Sequence, residues 1–283
     1  MMSERVQGWY EVTDAGDGIT IIGEKMNSED VKSFLVEGDR DVAVLDTGIG
    51  VGDFAGLVRA RSDRRPLVLQ SHAHWDHIGA SFRFERVRIH ESEAQWLRLG
   101  LSNEEFAPKF GPGGIELDRL PAGFHPQHAF IPGTEPSGWL EQGDEIDLGN
   151  RVLDVYHTPG HTSGGITFFD RRTRTLFPGD AINLGRIYVY SESSDPARWY
   201  ETIRLLRDLA SESSIVRPSH GPAITAADVA RIADAYVEVW SGREPDEQRT
   251  VDIGLEKPVD IDIFDYDDFS FLIEAGQYGS ERG

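Results

Sequence analysis

The sequence predicts an α/β fold in which strands are layered with helices, and three observations carry this. Short apolar or alternating runs crowd the first third of the chain, two amphipathic helices occupy residues 195–240, and each segment rich in ligand-forming side chains comes directly after a strand. In chain order, GITIIGE from Gly18, VKSFLVEG from Val31, DVAVLDTG from Asp41 and PLVLQSH from Pro66 read as strands. Glu37-Gly38-Asp39-Arg40 joins the second and third as a hairpin, because glycine and aspartate tolerate the positive φ of tight turns. The stretch from Asn103 to about Gly143 holds six of the 14 prolines, interleaved with Phe106, Phe110, Phe124, Phe130 and Trp139. It reads as an irregular excursion whose aromatic content favours a lid or substrate wall, with a passive surface insertion as the alternative.

A second hairpin follows, GITFFD from Gly165 and TRTLFPGD from Thr173 around Asp170-Arg171-Arg172. Both hairpins lead into a carboxylate beside glycine, Asp46-Thr47-Gly48 and Pro178-Gly179-Asp180, which suggests two similar halves. Ser194 or Asp195 caps the next helix, Pro196 suits its first position, and Trp199, Ile203, Leu206 and Leu209 form its apolar stripe. Thr225 with Asp228 forms a capping box ahead of a stripe of Val229, Ile232, Ala233, Tyr236 and Trp240. VDIDIFDYDDFSFLIEAG predicts one strand near 259–275 closing the sheet, and no linker divides residues 1–283, so a single domain is expected.

The 283 residues suffice for a sizeable core, and no apolar run approaches the roughly 20 residues that span a bilayer, so no membrane partner is expected. The amino terminus carries no apolar stretch between a basic start and a cleavage site, and a cytoplasmic location is expected. Zero cysteines exclude disulfides, iron–sulfur clusters and thiol catalysis, so any metal is held by nitrogen and oxygen. The 28 basic and 49 acidic residues give a formal charge of -21, which repels nucleic acid. The acidic excess is spread along the chain, consistent with a salty cytoplasm or with an arginine-preferring genome and an ordinary acidic surface. A small-molecule substrate is the expected partner, with a homodimer left open.

Chemistry concentrates in Ser71-His72-Ala73-His74-Trp75-Asp76-His77. On a turn after a strand, His72 and His74 project to one side while Asp76 and His77 reach a point further on, so two adjacent metals can be served. Imidazole and carboxylate without thiolate suit zinc first, then iron, manganese or cobalt.

This segment resembles the H-x-H-x-D-H signature of the metallo-β-lactamase superfamily of hydrolases. Tyr156-His157-Thr158-Pro159-Gly160-His161-Thr162 resembles its T-P-G-H-T segment, Phe177-Pro178-Gly179-Asp180 its F-x-G-D, and Pro218-Ser219-His220-Gly221 its P-x-H-G. The resemblance runs from about Gly18 to Gly221 and implies a four-layer αβ/βα sandwich with the site along one edge. It assigns His72, His74 and His161 to one divalent ion and Asp76, His77 and His220 to a second, with Asp180 bridging. Two such ions, zinc before iron or manganese, about 3.5–4 Å apart, share a solvent hydroxide. Attack by that hydroxide on a small-molecule carboxylic ester, lactone or thioester is the reaction implied. Asp76 then orients the nucleophile and moves its proton. Asp46, Thr47 and Thr162 are candidates for fixing ligand tautomers. His90, His125, His128 and His157 match no motif and read as structural or surface residues.

Among the family's branches, lactamases with a cysteine ligand are excluded by Asp180 and the lack of cysteine, which demotes a β-lactamase-like amide hydrolase. Diiron flavoproteins of this fold carry glutamate where His74 stands, and the RNA-processing branch conflicts with the charge. Lactonases and glyoxalase II-like thioesterases keep the full ligand set. Acyl-homoserine lactonases place a tyrosine where this chain has Asn183; Tyr188 or Tyr190 is a substitute from a longer loop, or part of an exposed strand pair. Glyoxalase II adds a basic helical domain unlike the acidic tail here. A mononuclear iron persulfide dioxygenase of the same fold is the alternative of another class, and a binding module that merely kept the fold is a third.

Overall fold

Residues 3–24, 30–112, 114–252 and 258–279 are described by a computed structural model. They group into two units, Met1–Val155 and Tyr156–Gly283. The first begins as an antiparallel meander of β1 (Ser3–Val6), β2 (Tyr10–Gly16), β3 (Ile19–Glu24), β4 (Val31–Glu37) and β5 (Asp41–Leu45). Alternation buries Tyr10 and Val12 of β2, and Ile19 and Ile22 of β3 are also buried. The β4–β5 hairpin forms where expected, with Glu37 opposite Val42. Its Gly38 lies so close to Leu148 that a Cβ would stand 2.3 Å from the Leu148 carbonyl oxygen.

Asp53 caps α1 (Phe54–Arg61), which leads into β6 (Arg65–Leu69) lying parallel to β5, the arrangement that a helical crossover produces. Residues 42–45 and 67–69 are buried without alternation, as in parallel strands covered on both faces. Then come α2 (Trp75–Ile78), β7 (Val87–Ile89), α3 (Ala94–Leu99), α4 (Asn103–Phe106) and β8 (Gly138–Trp139), and the sheet runs β1 to β8 in chain order. Between α4 and β8 the described residues form single 3-10 turns, as the prolines predict, with isolated bridges Phe110–Ile115 and Leu101–Ile131; Gly113 lies outside the described residues. Phe106 is buried, with Phe110 against it at 5.0 Å and Phe124 against Phe110 at 5.5 Å, whereas Phe130 is exposed. β9 (Glu145–Asp147) and β10 (Val152–His157) pair antiparallel, and the boundary between the units falls inside β10.

The second unit continues with β11 (Ile166–Asp170) and β12 (Thr175–Phe177), antiparallel as expected. The strand starts later than the sequence reading placed it. Thr173 donates its hydroxyl hydrogen to Asp170, and Arg174 adopts a φ of 54°, so both belong to the turn. After β13 (Arg186–Val189), α5 (Pro196–Glu212) leads into β14 (Ile215–Val216), parallel to β12. Asp195, not Ser194, caps α5, and the Thr225–Asp228 capping box starts α6 (Ala226–Trp240). Trp199 and Tyr236 lock the two helices together edge to face at 4.4 Å.

The single closing strand expected near 259–275 is instead a hairpin. After β15 (Glu247–Val251), β16 (Val259–Asp265) pairs antiparallel with β17 (Ser270–Glu274), Asp265 opposite Ser270. Asp267 and Asp268 turn the chain while Tyr266 stacks on Phe269 at 4.7 Å. The sheet order β13-β17-β16-β15 puts this hairpin in the middle of its own sheet. Among the described residues, no helix is long and apolar enough to cross a membrane.

Candidate metal centre

Four candidate ligands of the first unit follow β6 directly. His72, Asp76 and His77 are buried and His74 is half-buried. The His72 ring lies 4.6 Å from that of His74 and 4.2 Å from that of His77, and His77 Nε2 is 3.8 Å from Asp76 Oδ2.

Asp46, just past the end of β5, organises these side chains. Its Oδ1 accepts the Ser71 backbone N–H at 2.7 Å, and its Oδ2 accepts the Ser71 hydroxyl at 2.7 Å and His77 Nδ1–H at 2.8 Å. Because the Ser71 hydroxyl gives its hydrogen to Asp46, it accepts from His72 Nδ1–H at 3.0 Å. One carboxylate therefore fixes the same tautomer in two imidazoles and puts the lone pair of each on Nε2. Thr47 holds His77 by its backbone, donating to the His77 carbonyl from N–H at 2.7 Å and from its hydroxyl at 3.0 Å. Buried Gln70 faces acceptors on one side. Its amide nitrogen donates to His77 O at 3.1 Å and Asp46 Oδ1 at 2.9 Å, while its oxygen accepts from Ser81 Oγ at 2.5 Å.

The second unit supplies His161, Asp180 and His220. His161 Nδ1–H donates to the Tyr188 carbonyl at 2.7 Å, so its Nε2 also carries the lone pair, 3.7 Å from Asp180 Oδ2. His220 Nε2 lies 3.2 Å from the same oxygen, and Asp180 thus stands between two imidazoles. The start of α5 clamps the His161 loop: Asp195 N–H donates to Gly160 O at 2.9 Å, Ser194 Oγ to His161 O at 2.7 Å, and Thr202 Oγ1 to Pro159 O at 2.6 Å. Gly160 has a φ of 131°, and a Cβ there would meet Trp199 Cα at 2.5 Å, so only glycine fits. Ser219 N–H donates to Gly179 O at 3.1 Å and ties the His220 turn to that of Asp180.

Asp46 thus has the ring partners that the expected tautomer-fixing role requires, whereas Thr47 holds only the His77 main chain and touches no ring nitrogen among the described residues. The Thr162 hydroxyl is buried with no hydrogen-bond partner among the described residues. Tyr188 serves through its main chain, and its ring packs edge-on against Tyr190 at 5.8 Å. His90 caps a 3-10 turn, His157 donates to Ser163 O at 3.1 Å, and His125 and His128 are exposed. Sequence reasoning missed the orienting roles of Ser71, Gln70 and the Tyr188 carbonyl, and it missed Glu93, a buried residue whose carboxylate accepts Ala73 N–H at 3.0 Å. Only Ser71 and Gln70 had a signal, as polar residues running straight from a buried strand into the histidine cluster.

The donor set suits a borderline divalent ion. Ligand atoms of His72 and His74 lie within 4.8 Å of one another, as do those of Asp76 and His77 and those of His161 and Asp180. Nitrogen and oxygen donors with fixed tautomers fit zinc, iron or manganese.

Such clusters, borne on strand ends of an α/β chain, define a metal-binding hydrolase class. Residues 29–216 match the metallo-beta-lactamase superfamily, and the chain belongs to that family. It is 30% identical over 246 residues to the acyl-coenzyme A thioesterase MBLAC2 of Bos taurus, a match spanning 81% of this chain and 87% of the relative. It is 26% identical over 178 residues to the hydroxyacylglutathione hydrolase GloC of Haemophilus influenzae, across 60% of this chain and 74% of the relative. Among solved structures, a metallo-beta-lactamase from Pontibacter korlensis superposes with a TM-score of 0.60 at 16% identity, covering 81% of this chain and 99% of that one. Another protein, solved in a di-iron-bound form, superposes with a TM-score of 0.54 at 23% identity, covering 71% of this chain and 93% of that one. These likenesses establish the metallo-β-lactamase type of α/β fold.

Proposed function

We propose that this chain hydrolyses a small-molecule acyl thioester with two divalent ions, zinc before iron or manganese. His72, His74 and His161 would hold one, Asp76, His77 and His220 the other, and Asp180 both. The observation that carries this is the matched fixing of tautomers, since Asp46 directs His72 and His77 and Tyr188 directs His161 to offer Nε2. When bound, the ions supply a water nucleophile at neutral pH and an electrophile for the acyl oxygen. Asp76, buried beside His77, receives the proton of the attacking water. A thiol leaves as thiolate with a pKa near 8.5, so departure asks little of Asp76, whereas an amide nitrogen needs a proton delivered. That favours thioesters over β-lactam amides, and relatives named for acyl-coenzyme A and hydroxyacylglutathione point the same way.

Trp75 stands between His74 and Asp76 in the chain and packs on Phe106 at 6.0 Å, with Lys109 Nζ 4.9 Å from its ring centroid. We read half-buried Trp75, backed by the buried Phe106 of the excursion, as a wall for the acyl portion. Elemental analysis joined to a panel of thioesters, lactones, esters and β-lactams tests the reading. Two zinc per chain with thioesters turned over fastest is expected, and Asp180→Ala is expected to lose the metal pair and most activity. Full turnover by Asp180→Ala, or a single iron with oxygen uptake, would overturn it.

A further inference from the structure

Glu24 ends β3 and is only 1% exposed. Its Oε2 accepts the Ile49 backbone N–H at 3.1 Å. Burial, with Asp76 acting in the same direction, pushes its carboxyl up to about 8, against the opposing pull of Ile49 N–H, the Trp9 indole and His77. Burial thus favours the uncharged form of this acid over the carboxylate. Gly48 is built around it: φ is 65°, and a Cβ there would lie 2.4 Å from Glu24 Oε1. The Gly48–Ile49 peptide that Glu24 grips continues the turn whose first residues, Asp46 and Thr47, hold His77 and Ser71. Gly48 O also accepts Gly79 N–H at 2.8 Å, tying the turn to the end of α2.

We propose that Glu24 is a positioning residue for the metal loop, setting through Ile49 and the 46–49 turn where Asp46 and Thr47 hold His77. Asp76 and His77 depend on it to retain a divalent ion. The inference rests on reading His77 as a ligand. Neither β3 nor the 46–49 turn supplies a ligand of its own, so the effect is transmitted, and it is read in metal affinity instead of turnover.

The test is a Zn2+ titration of the full chain against a chromophoric chelator, beside the melting curve of metal-free protein. Glu24→Gln keeps the shape and the acceptor for Ile49 and is expected to bind Zn2+ about as tightly as wild type. Glu24→Met keeps the bulk but leaves Ile49 N–H without its partner, and affinity is expected to fall about 10- to 100-fold, as for other residues that orient metal ligands. The hydrogen-bonded His77 Nδ1–H proton resonance should move in Glu24→Met and stay in place in Glu24→Gln. If Glu24→Met does not fold, Glu24→Asp, whose carboxyl is withdrawn by one methylene, takes its place with the same expectation. Wild-type affinity in the folded variant, or a loss no larger than its metal-free melting shift accounts for, would overturn the proposal. Wild-type protein that takes up no Zn2+ would instead overturn the metal site itself.

Discussion

Replacing Asp46 with asparagine isolates the group that fixes two imidazoles. Asp46 has a φ of 59°, a conformation asparagine also tolerates, so the backbone and the packing are preserved. Four hydrogens converge on the carboxylate, those of Ser71 N–H and the Gln70 amide on Oδ1 and those of the Ser71 hydroxyl and His77 Nδ1–H on Oδ2. An amide oxygen placed to receive Ser71 N–H leaves NH2 facing His77 Nδ1 and the Ser71 hydroxyl. His77 must then accept at Nδ1 and carry its hydrogen on Nε2, where a ligand lone pair is required. Each lost hydrogen bond to a charged acceptor is worth about 1.5–3 kcal/mol, and partial re-pairing with Ser71 leaves a net cost of about 2–4 kcal/mol. That corresponds to a melting temperature lower by roughly 4–12 °C. The wrong tautomer adds an expected 10- to 100-fold loss of Zn2+ affinity. Calorimetry of metal-free protein and chelator competition measure the two effects. Zn2+ affinity within about twofold of wild type would refute the argument that Asp46 sets the tautomer.

Gly160→Ala drives a Cβ to 2.4 Å from Trp199 Cβ and is expected to cost more than about 3 kcal/mol, seen as a collapse of the melting temperature; unchanged melting would contradict the close packing. The Thr225 backbone N–H, then its hydroxyl, holds the Asp228 carboxyl below the usual range. A depressed carboxyl stabilises above its unfolded pKa of about 4 and loses that contribution as pH falls through the folded value, so Asp228→Asn should be about 1 kcal/mol less stable at pH 7 and converge with wild type in acid. A gap that persists undiminished at low pH would dispose of this account. Stripping metal with a chelator is expected to abolish thioester hydrolysis and adding Zn2+ to restore it; turnover that ignores the chelator would remove the ions from the reaction.

His72, His74, Asp76 and His77 were legible because they crowd a polar run directly after a strand, whereas His161, Asp180 and His220 came only through resemblance to the family's motifs. What holds them was legible only where it lay beside glycine in a turn, as at Asp46 and Thr47. Glu24 and Glu93 reach the site from residues 25 and 20 positions away from their partners, separations that no local pattern encodes. α1 escaped notice because its buried Phe54, Leu57 and Val58 span little more than one turn, followed by arginines. β1 has an almost wholly exposed face and no alternation to see. The C-terminal hairpin read as one strand because Tyr266-Asp267-Asp268 contains neither glycine nor proline, the residues that normally mark a reversal.

Trp199 donates its indole N–H to Ala181 O at 2.9 Å, one residue after Asp180, and its backbone presses on Gly160, one residue before His161. A single fully buried chromophore thus adjoins the loops bearing two of the second unit's three donors. Its emission wavelength should report the ordering of those loops directly, so a Trp199-only protein would let ion uptake be timed in a stopped-flow fluorimeter without a dye or a substrate.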